Sequence, residues 1–205
     1  MRAKTDILAV AGDLFSERGY HATSMRELAE TLGLRSASLY THIASKEEIL
    51  WEIVNQVADQ FLAQAEAVPR DIPPDAQLAL LVHGHLEVID DALHFATVFF
   101  QEWKFLEPVL RNKIKARRDL YEGYFHRVID EGTKQDVFYL VDTRLATLFV
   151  LSVLNWTYQW FGHDGSLTIE QLADQYTIFI LRALKGRLNG VIAPFSRAKN
   201  GSYDS

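Results

Sequence analysis

The sequence contains no cysteine, so a fold held together by disulfide bonds is excluded. This absence fits a reducing compartment, and we predict a cytoplasmic protein. A long uninterrupted apolar segment is also missing. The longest apolar run, at 145–161, is short for a membrane span and contains Ser152, Asn155 and Gln159, so it predicts a buried helix. The apolar stretch near the N-terminus is broken by two aspartates and does not have the pattern of a signal peptide.

Disorder is excluded by composition, because 48% of the residues are apolar and 12% are aromatic. The chain of 205 residues suits one large domain or two small ones. The formal net charge of −6 argues against general coating of nucleic acid, but it leaves a local binding site open, because the local field decides binding. Strand signals are scarce, and most prolines and glycines separate helical patterns. The composition and spacing therefore predict a chain made mainly of helices.

Helical periodicity divides the chain into short N-terminal helices and longer ones after them. Ser24 with Glu27, and Ser45 with Glu48, have the spacing of capping boxes that begin helices. We predict a first helix that ends before Gly19, then helices at about 25–32, 36–42, 46–67, 76–93, 94–106, 109–131, 143–161 and 168–187.

One short segment differs in charge from the rest of the protein. The chain has 27 acidic and 21 basic residues, yet no aspartate or glutamate lies between Thr31 and Lys46. Hydroxyl side chains, Arg35 and His42 occupy the segment instead. A surface that approaches the phosphates of DNA must lack carboxylates, and small hydroxyl residues permit a close approach. The segment is therefore a candidate DNA-binding surface.

The same segment has the pattern of a helix-turn-helix, in which the second short helix lies in the major groove. Leu34, Leu39 and Ile43 can point into the protein, which directs Tyr40, Thr41 and His42 outward. Spacing alone does not distinguish this arrangement from a solvated turn between two core helices.

The first fifty residues resemble the DNA-binding domain of the TetR family of bacterial repressors. The matching stretch is "ILAVAGDLFSERGYHATSMRELAETLGLRSASLYTHIASKEEIL". Its specific parts are "GY" after the first helix, "ATS" before the second, "LG" at the turn, "LY.H" in the third and "SKEE.L" at the start of the fourth. The resemblance implies an all-α homodimer that releases DNA when a small molecule binds. It also implies an N-terminal three-helix DNA-binding domain at 1–46 and a larger helical ligand-binding and dimerisation domain at 47–190, with a loose tail at 191–205.

The resemblance assigns DNA-binding roles by position. Base edges would be met by Arg26, Ser36, Ala37 and Ser38. Phosphates would be met by Ser24, Tyr40, His42 and Lys46, and Thr41 is added to these candidates by its outward direction on the helix. Arg35 stands where a serine often caps the recognition helix, and it could reach a phosphate or a guanine edge, or remain a solvated charge. Ile43 stands where phenylalanine is usual, which is a tolerable change of volume.

Aromatic residues form three clusters in the larger domain, within "HFATVFFQEWKF", "DLYEGYFHRV" and "LNWTYQWF". Such clusters usually belong to the core, but three of them suit a cavity for a mostly apolar ligand. Arg111, Lys115 and Arg118 share one helix face and could hold an anionic group, or they could form a solvated face. The predicted ligand-binding residues are Phe95, Phe99, Trp103, Arg111, Lys115, Arg118, Tyr121, Tyr124, Phe125, Asn155, Trp156, Gln159 and Trp160.

"LNWTYQW" with the following "GHDG" resembles the acyl-CoA-responsive branch of the family, which regulates the breakdown of fatty acids, steroids or aromatic acids. We therefore predict an acyl-CoA effector and no cofactor. The helices at 143–161 and 168–187 would form the dimer interface, through large apolar residues: Leu172, Tyr176, Phe179, Ile180 and Leu184.

Other functions fit the sequence less well. An enzyme is not predicted, because no Gly-rich phosphate loop and no nucleophile elbow are present. His83 and Glu87 share a helix face but His85 points away from it, so a metal site is not predicted. Two alternatives remain: a multidrug-type repressor, and an all-α ligand-binding protein that does not bind DNA. The carboxylate-free segment argues against the second alternative.

Overall fold

The computed structural model describes residues 4–139, 142–162 and 165–186. Within these ranges the chain forms α-helices and no strands, as predicted. The helices are α1 (Lys4–Arg18), α2 (Met25–Thr31), α3 (Ser36–Tyr40), α4 (Lys46–Glu66), α5 (Pro74–Asp91), α6 (Leu93–Gln101), α7 (Pro108–Lys134), α8 (Thr143–Asn155) and α9 (Ile169–Lys185). The predicted tail at 191–205, the end of the domain at 187–190 and part of "GHDG" lie outside the described residues.

Local side-chain caps explain where several helices begin. Ser24 and Glu27 form the predicted capping box at α2. Ser45 accepts the Glu48 N–H at α4, but the Glu48 carboxylate reaches the N–H of Ala44 (2.7 Å) rather than that of Ser45. Sequence reasoning missed the cap of α8 by Asp142 and the capping box of Thr168 and Gln171 at α9. Prolines begin α5 and α7, where their missing N–H costs nothing.

Two predicted helices are shorter than expected. The stretch at 94–106 divides into α6 and a 3₁₀ turn at Trp103–Phe105, and the stretch at 143–161 divides into α8 and a 3₁₀ turn at Thr157–Gln159. The chain leaves α6 at Glu102, a buried residue whose carboxylate accepts the backbone N–H of Tyr20 (3.3 Å). Because Pro108 restricts the residue before it, Glu107 is extended and α7 starts as a separate helix.

Helix α4 is the central element of the molecule. Its first turns pack against α1, and its remaining length packs against α5, α6 and α7. One face of α4 is buried along nearly its whole length, from Ile49 to Ala65, and these side chains belong to a single continuous hydrophobic core. Helix α4 therefore contacts both the three N-terminal helices and the larger helical domain. In the described part of the chain, no helix combines the length and the apolar character needed to cross a bilayer.

Candidate DNA-binding surface and ligand cavity

Helices α2 and α3 are joined by a tight turn at Gly33. The φ angle of Gly33 is +66°, in the left-handed region that favours glycine, and its N–H donates to the carbonyl of Glu30 (3.0 Å). The N–H of Leu34 donates to the carbonyl of Ala29 (2.8 Å), which closes the end of α2. Leu39 and Ile43 are fully buried and fix α3 against the core. The helix-turn-helix arrangement is confirmed.

Helix α3 presents its small residues to solvent. Ser36, Ala37 and Ser38 are exposed, and 52% of Tyr40 is exposed. Thr41 is also exposed, and its hydroxyl donates to the carbonyl of Ser38 (2.6 Å), whereas His42 is only half exposed. Because no residue of α3 is acidic, this exposed face suits a DNA groove.

Two predicted DNA-binding side chains have local partners within the protomer, and a third, Arg35, stands at a helix cap. Ser24 accepts the N–H of Glu27 at the cap of α2. Arg26 is fully available at the surface apart from an ion pair with Glu30 (Nε–Oε1 2.7 Å), and such exposed pairs contribute little to stability. Arg35 occupies the cap position of α3 without any side-chain cap hydrogen bond. Its guanidinium has only donors, so it cannot accept the free N–H groups of the helix.

Lys46 has a structural role that sequence reasoning missed. Its ammonium donates to the carbonyls of Tyr20 and Thr23, each at 2.9 Å, and lies 4.3 Å from the centroid of the Tyr20 ring. Burial of the ammonium lowers the pKa of Lys46. The side chain therefore ties the turn before α2 to the start of α4. A phosphate contact by Lys46 stays a prediction, and removal of its ammonium is expected to destabilise the domain.

Replacing Lys46 by methionine is expected to destabilise the protein by about 1–3 kcal/mol, because two buried carbonyls lose a charged donor. Methionine keeps much of the apolar stem, so the measured loss reports mainly on the ammonium. The free energy of unfolding from urea denaturation measures the effect.

Lys115→Met is the matched control, since Lys115 is exposed on α7. We expect it to change stability by less than about 0.5 kcal/mol. Equal stability of the Lys46 variant and the unsubstituted protein would contradict the structural role.

A junction connects the three N-terminal helices to the larger domain. The ring of Phe105 stacks on Tyr20 (centroids 6.3 Å apart) and meets His21 edge-on (4.2 Å). The Glu47 carboxylate on α4 accepts the N–H of Glu107 (2.7 Å). Together with the bond from Tyr20 to Glu102, these contacts fix residues 102–107 against the N-terminal helices.

Helix α1 approaches α6 closely at Gly12. A Cβ atom at this position would lie 2.2 Å from the ring of Phe95, which leaves no room for any side chain. Phe95 is therefore a residue of the α1–α6 contact. It was predicted to bind ligand, but its ring is occupied by this contact and does not line the cavity.

The larger domain contains a partly open cavity of about 120 Å³ between α4, α5, α6, α7 and α8. Its apolar wall consists of Ala58, Phe61, Phe99, Phe100 and Leu151. The three phenylalanine rings contact one another, with centroids between 5.2 and 5.9 Å apart. A concave site with an aromatic wall suits an apolar ligand.

Polar side chains enter the same cavity from α5, α7 and α8: His85, Arg117, Arg118, Asp119, Tyr121, Glu122 and Asn155. Arg117 is paired with Asp59 of α4. Arg118 has its guanidinium carbon 5.3 Å from the ring centroid of Phe99 and 5.1 Å from that of Trp103. Its Nη1 is buried and has no hydrogen-bond partner among the described residues. Burial lowers the pKa of Arg118, against a smaller opposing effect of Asp119.

His85 and Tyr121 form a buried polar pair. Nδ1 of His85 lies 3.0 Å from the hydroxyl of Tyr121. Burial lowers the pKa of His85 to about 3, against a smaller opposing effect of the Leu154 carbonyl, and burial raises the pKa of Tyr121. Both groups are therefore neutral at physiological pH. Nε2 of His85 is buried and forms no hydrogen bond of normal geometry in the described ranges, although the Leu154 carbonyl lies near the imidazole.

The structure brings Phe99, Arg118, Tyr121 and Asn155 of the predicted ligand set to this cavity. It also shows lining residues that sequence reasoning missed, above all Phe61, His85 and Phe100. The sequence signal for His85 is its position among the apolar residues of α5, which fits a buried polar group as well as the metal ligand considered above.

The remaining predicted ligand residues lie elsewhere. Trp103 and Phe125 do not line the cavity themselves. Trp103 contacts the lining residue Arg118, and Phe125 contacts the lining residue Tyr121. Tyr124 does not line the cavity, and its hydroxyl donates to Glu66 of α4 (3.3 Å). The others are exposed: Arg111, Lys115, Trp156, Gln159 and Trp160. Arg118 shares the buried face of α7 with Ile114, Tyr121 and Phe125. Arg111 is on the same side but is exposed near the start of the helix, and Lys115 lies beside that face.

Helices α8 and α9 carry an exposed apolar surface, which we call the α8–α9 face. Its members are at least 39% exposed: Leu145, Leu148, Phe149, Trp156, Trp160, Leu167, Ile178 and Phe179. Of the residues predicted for the dimer interface, Phe179 lies on this face and Tyr176 is half buried. The other three are buried within the protomer, where α9 packs against α5: Leu172, Ile180 and Leu184.

Comparison with known proteins agrees with this architecture. Residues 7–53 match the family described as "Bacterial regulatory proteins, tetR family". Residues 71–184 match "Tetracyclin repressor-like, C-terminal domain". The HTH-type transcriptional repressor KstR2 of Rhodococcus jostii (strain RHA1) is 32% identical over 189 residues, covering 88% of this chain and 90% of that protein.

Solved structures are similar over nearly the whole length. The TetR family transcriptional regulator PfmR from Thermus thermophilus has a TM-score of 0.80 and 39% identity, covering 86% of this chain and 97% of its own. AibR, solved in complex with isovaleryl coenzyme A and operator DNA, has a TM-score of 0.77 and 28% identity, covering 88% and 96%. The exposed helix-turn-helix, the cavity-containing helical domain and these matches lead to one assignment: the chain belongs to the TetR family of bacterial regulatory proteins.

Proposed function

We propose that the protein is a homodimeric transcriptional repressor that binds an operator through α3 and leaves it when an acyl-CoA occupies the cavity. The observation that carries this proposal is the combination, in one chain, of a carboxylate-free exposed α3 with an aromatic-walled cavity that α4 helps to line. In this proposal residues 1–46 form the DNA-binding domain and residues 47–190 form the ligand-binding and dimerisation domain.

The α8–α9 face supports the proposed dimer. Its exposed aromatic and aliphatic side chains are more than a monomer normally leaves in contact with water. A two-fold dimer would also solve the problem of DNA recognition, because α3 has only five residues and reads few base pairs. Two copies of α3 placed about 34–36 Å apart would reach successive turns of the major groove.

The acyl-CoA effector is supported by the cavity and by one structural relative. The cavity joins an aromatic wall to Arg118, which has no hydrogen bond at Nη1 within the described ranges. AibR is similar over 88% of this chain and was solved with isovaleryl coenzyme A and operator DNA. An acyl-CoA thioester matches the composition of this cavity, since its acyl group is apolar and the rest of the molecule is polar and anionic.

The junction gives the cavity a mechanical connection to α3. Phe99 and Phe100 line the cavity on α6, and the segment that follows α6 contacts Tyr20, His21 and Glu47. A ligand shifts the DNA-binding equilibrium only if it binds the DNA-incompetent arrangement more tightly. A small displacement of α6 would tilt α4 and change the distance between the two copies of α3.

The test is a gel-shift titration on DNA from upstream of the protein's own coding region. Acyl-CoA thioesters are expected to release the complex, whereas free CoA is expected to leave it intact. Release by free acids alone would remove the thioester from the proposal. Release by unrelated hydrophobic cations, without release by any thioester, would identify a multidrug-type repressor instead.

A further inference from the structure

The volume of the cavity limits the size of the group that it can hold. Sites for drug-sized ligands measure about 300–1,000 Å³, whereas this cavity measures about 120 Å³. An apolar cavity of about 150 Å³ accommodates benzene. A short branched chain or a single aromatic ring therefore fits, while a long fatty chain or a fused ring system does not.

The His85–Tyr121 pair has one hydrogen to offer to a ligand, whichever tautomer His85 adopts. If the Tyr121 hydroxyl donates to Nδ1, then the proton of the neutral imidazole is on Nε2, which is buried and has only the Leu154 carbonyl nearby, without a hydrogen bond of normal geometry in the described ranges. If Nδ1 carries the proton and donates to Tyr121, then the Tyr121 hydroxyl hydrogen is free. In both cases a neutral donor remains inside the cavity, and an uncharged oxygen of the ligand is its natural acceptor.

Arg118 adds a charged donor to the same small space. The neighbouring Arg117 is paired with Asp59, whereas the ion pairs formed within the described ranges do not include Arg118. A desolvated guanidinium is costly unless an oxygen acceptor completes its hydrogen bonds. The guanidinium lies close to the rings of Phe99 and Trp103, and its buried Nη1 has no hydrogen-bond partner within the described ranges.

We propose that the cavity selects a small acyl group, either a short branched chain or one aromatic ring, and that Arg118 and the His85–Tyr121 pair bind its carbonyl oxygen. The proposal rests on the proposed function in that the acyl group is taken to belong to the effector. The acyl group and its oxygen could belong to a CoA thioester or to a free short carboxylic acid, and the experiment distinguishes these two ligands. Phe100 sets the upper limit of size, because its half-buried ring closes the wall and stacks on Tyr158 (5.0 Å between centroids).

Isothermal titration calorimetry on the full chain without DNA measures binding directly, so a failure of DNA recognition does not affect the result. The probes are acetyl-, isobutyryl-, isovaleryl-, benzoyl-, octanoyl- and palmitoyl-CoA, with isovalerate and benzoate as free acids. Isovaleryl- and benzoyl-CoA are expected to bind about tenfold or more tightly than octanoyl- and palmitoyl-CoA, because extra methylenes do not fit. Tighter binding of palmitoyl-CoA than of isovaleryl-CoA would overturn the size limit. Tighter binding of the free acids would identify a carboxylate as the source of the oxygen.

Three variants test the named side chains. Arg118→Met is expected to weaken the preferred ligand about tenfold to a hundredfold, and Tyr121→Phe about threefold to tenfold. Arg111→Met, on the exposed part of the same helix, is the matched control and should change affinity by less than about twofold. Unchanged affinity in both Arg118→Met and Tyr121→Phe would overturn the proposed oxygen contacts.

Phe100→Ala is expected to increase the affinity for a larger ligand, which a misfolded protein would not do. Removing the ring enlarges the cavity, so octanoyl-CoA is expected to bind at least about tenfold more tightly to this variant than to the unsubstituted protein. Equal discrimination against octanoyl-CoA in a folded Phe100→Ala protein would show that this ring does not set the limit.

Discussion

Replacing Phe149 and Phe179 together by aspartate is expected to convert the protein to a monomer and to weaken operator binding by about 100-fold or more. Both side chains lie on the α8–α9 face, where 52% and 59% of their surface is exposed in the protomer. In the proposed dimer each aspartate would be buried without a partner, which is costly. Loss of the dimer removes the second α3 from the operator, so each half-site is bound independently.

Sedimentation velocity and a gel shift on the same preparations measure the two effects. Leu120→Asp is the matched control, because Leu120 is 53% exposed on α7 and lies away from the α8–α9 face. A doubly substituted protein that still sediments as a dimer would show that another surface joins the protomers. A pair chosen from the sequence alone, Phe179 with Ile180, is unsuitable, since Ile180 is only 3% exposed and an aspartate there would disrupt the core.

Replacing Ala37 by aspartate is expected to abolish specific operator binding while the protein remains folded and dimeric. Ala37 is exposed on α3 and its side chain is small enough for close contact with base edges. A carboxylate there would face the phosphates, and each lost base contact costs about 1–3 kcal/mol. The substitution occurs in both half-sites of a dimer, so an affinity loss of roughly 100-fold or more follows.

Fluorescence anisotropy with labelled operator DNA, measured at several salt concentrations, gives the affinity. Ala116→Asp is the control, because it places the same new charge at an exposed helical alanine of the larger domain. Circular dichroism and effector binding should be the same in both variants. Operator affinity of Ala37→Asp within about twofold of the control would remove α3 from the proposed DNA contact.

Local signals in the sequence predicted the helices well. The Ser24 and Ser45 caps and the turn glycine at Gly33 act within a few residues, and the structure confirms helices at these places. The division of 94–106 was not predictable in this way. It depends on Glu102 reaching Tyr20, which lies 82 positions away in the sequence.

The ligand cavity was only partly predictable, because its wall combines residues from Ala58 to Asn155 on five helices. Periodicity identifies which face of a helix is apolar, but it does not identify what that face contacts. Phe99 and Trp156 illustrate the difficulty, since both belong to aromatic clusters of similar composition. Phe99 lines the cavity, whereas 62% of Trp156 is exposed on the α8–α9 face.

The junction has a consequence for engineering hybrid repressors. On α3 the exposed positions contact solvent, so operator preference can be altered there without repacking the protomer. Replacing residues 1–46 by those of a relative is more demanding. The new α1 needs a glycine where it contacts Phe95. The turn that follows α1 must pack against Phe105 and donate a backbone hydrogen bond to Glu102. A working chimera would therefore exchange residues 102–107 along with the N-terminal helices, although the two segments are far apart in the gene.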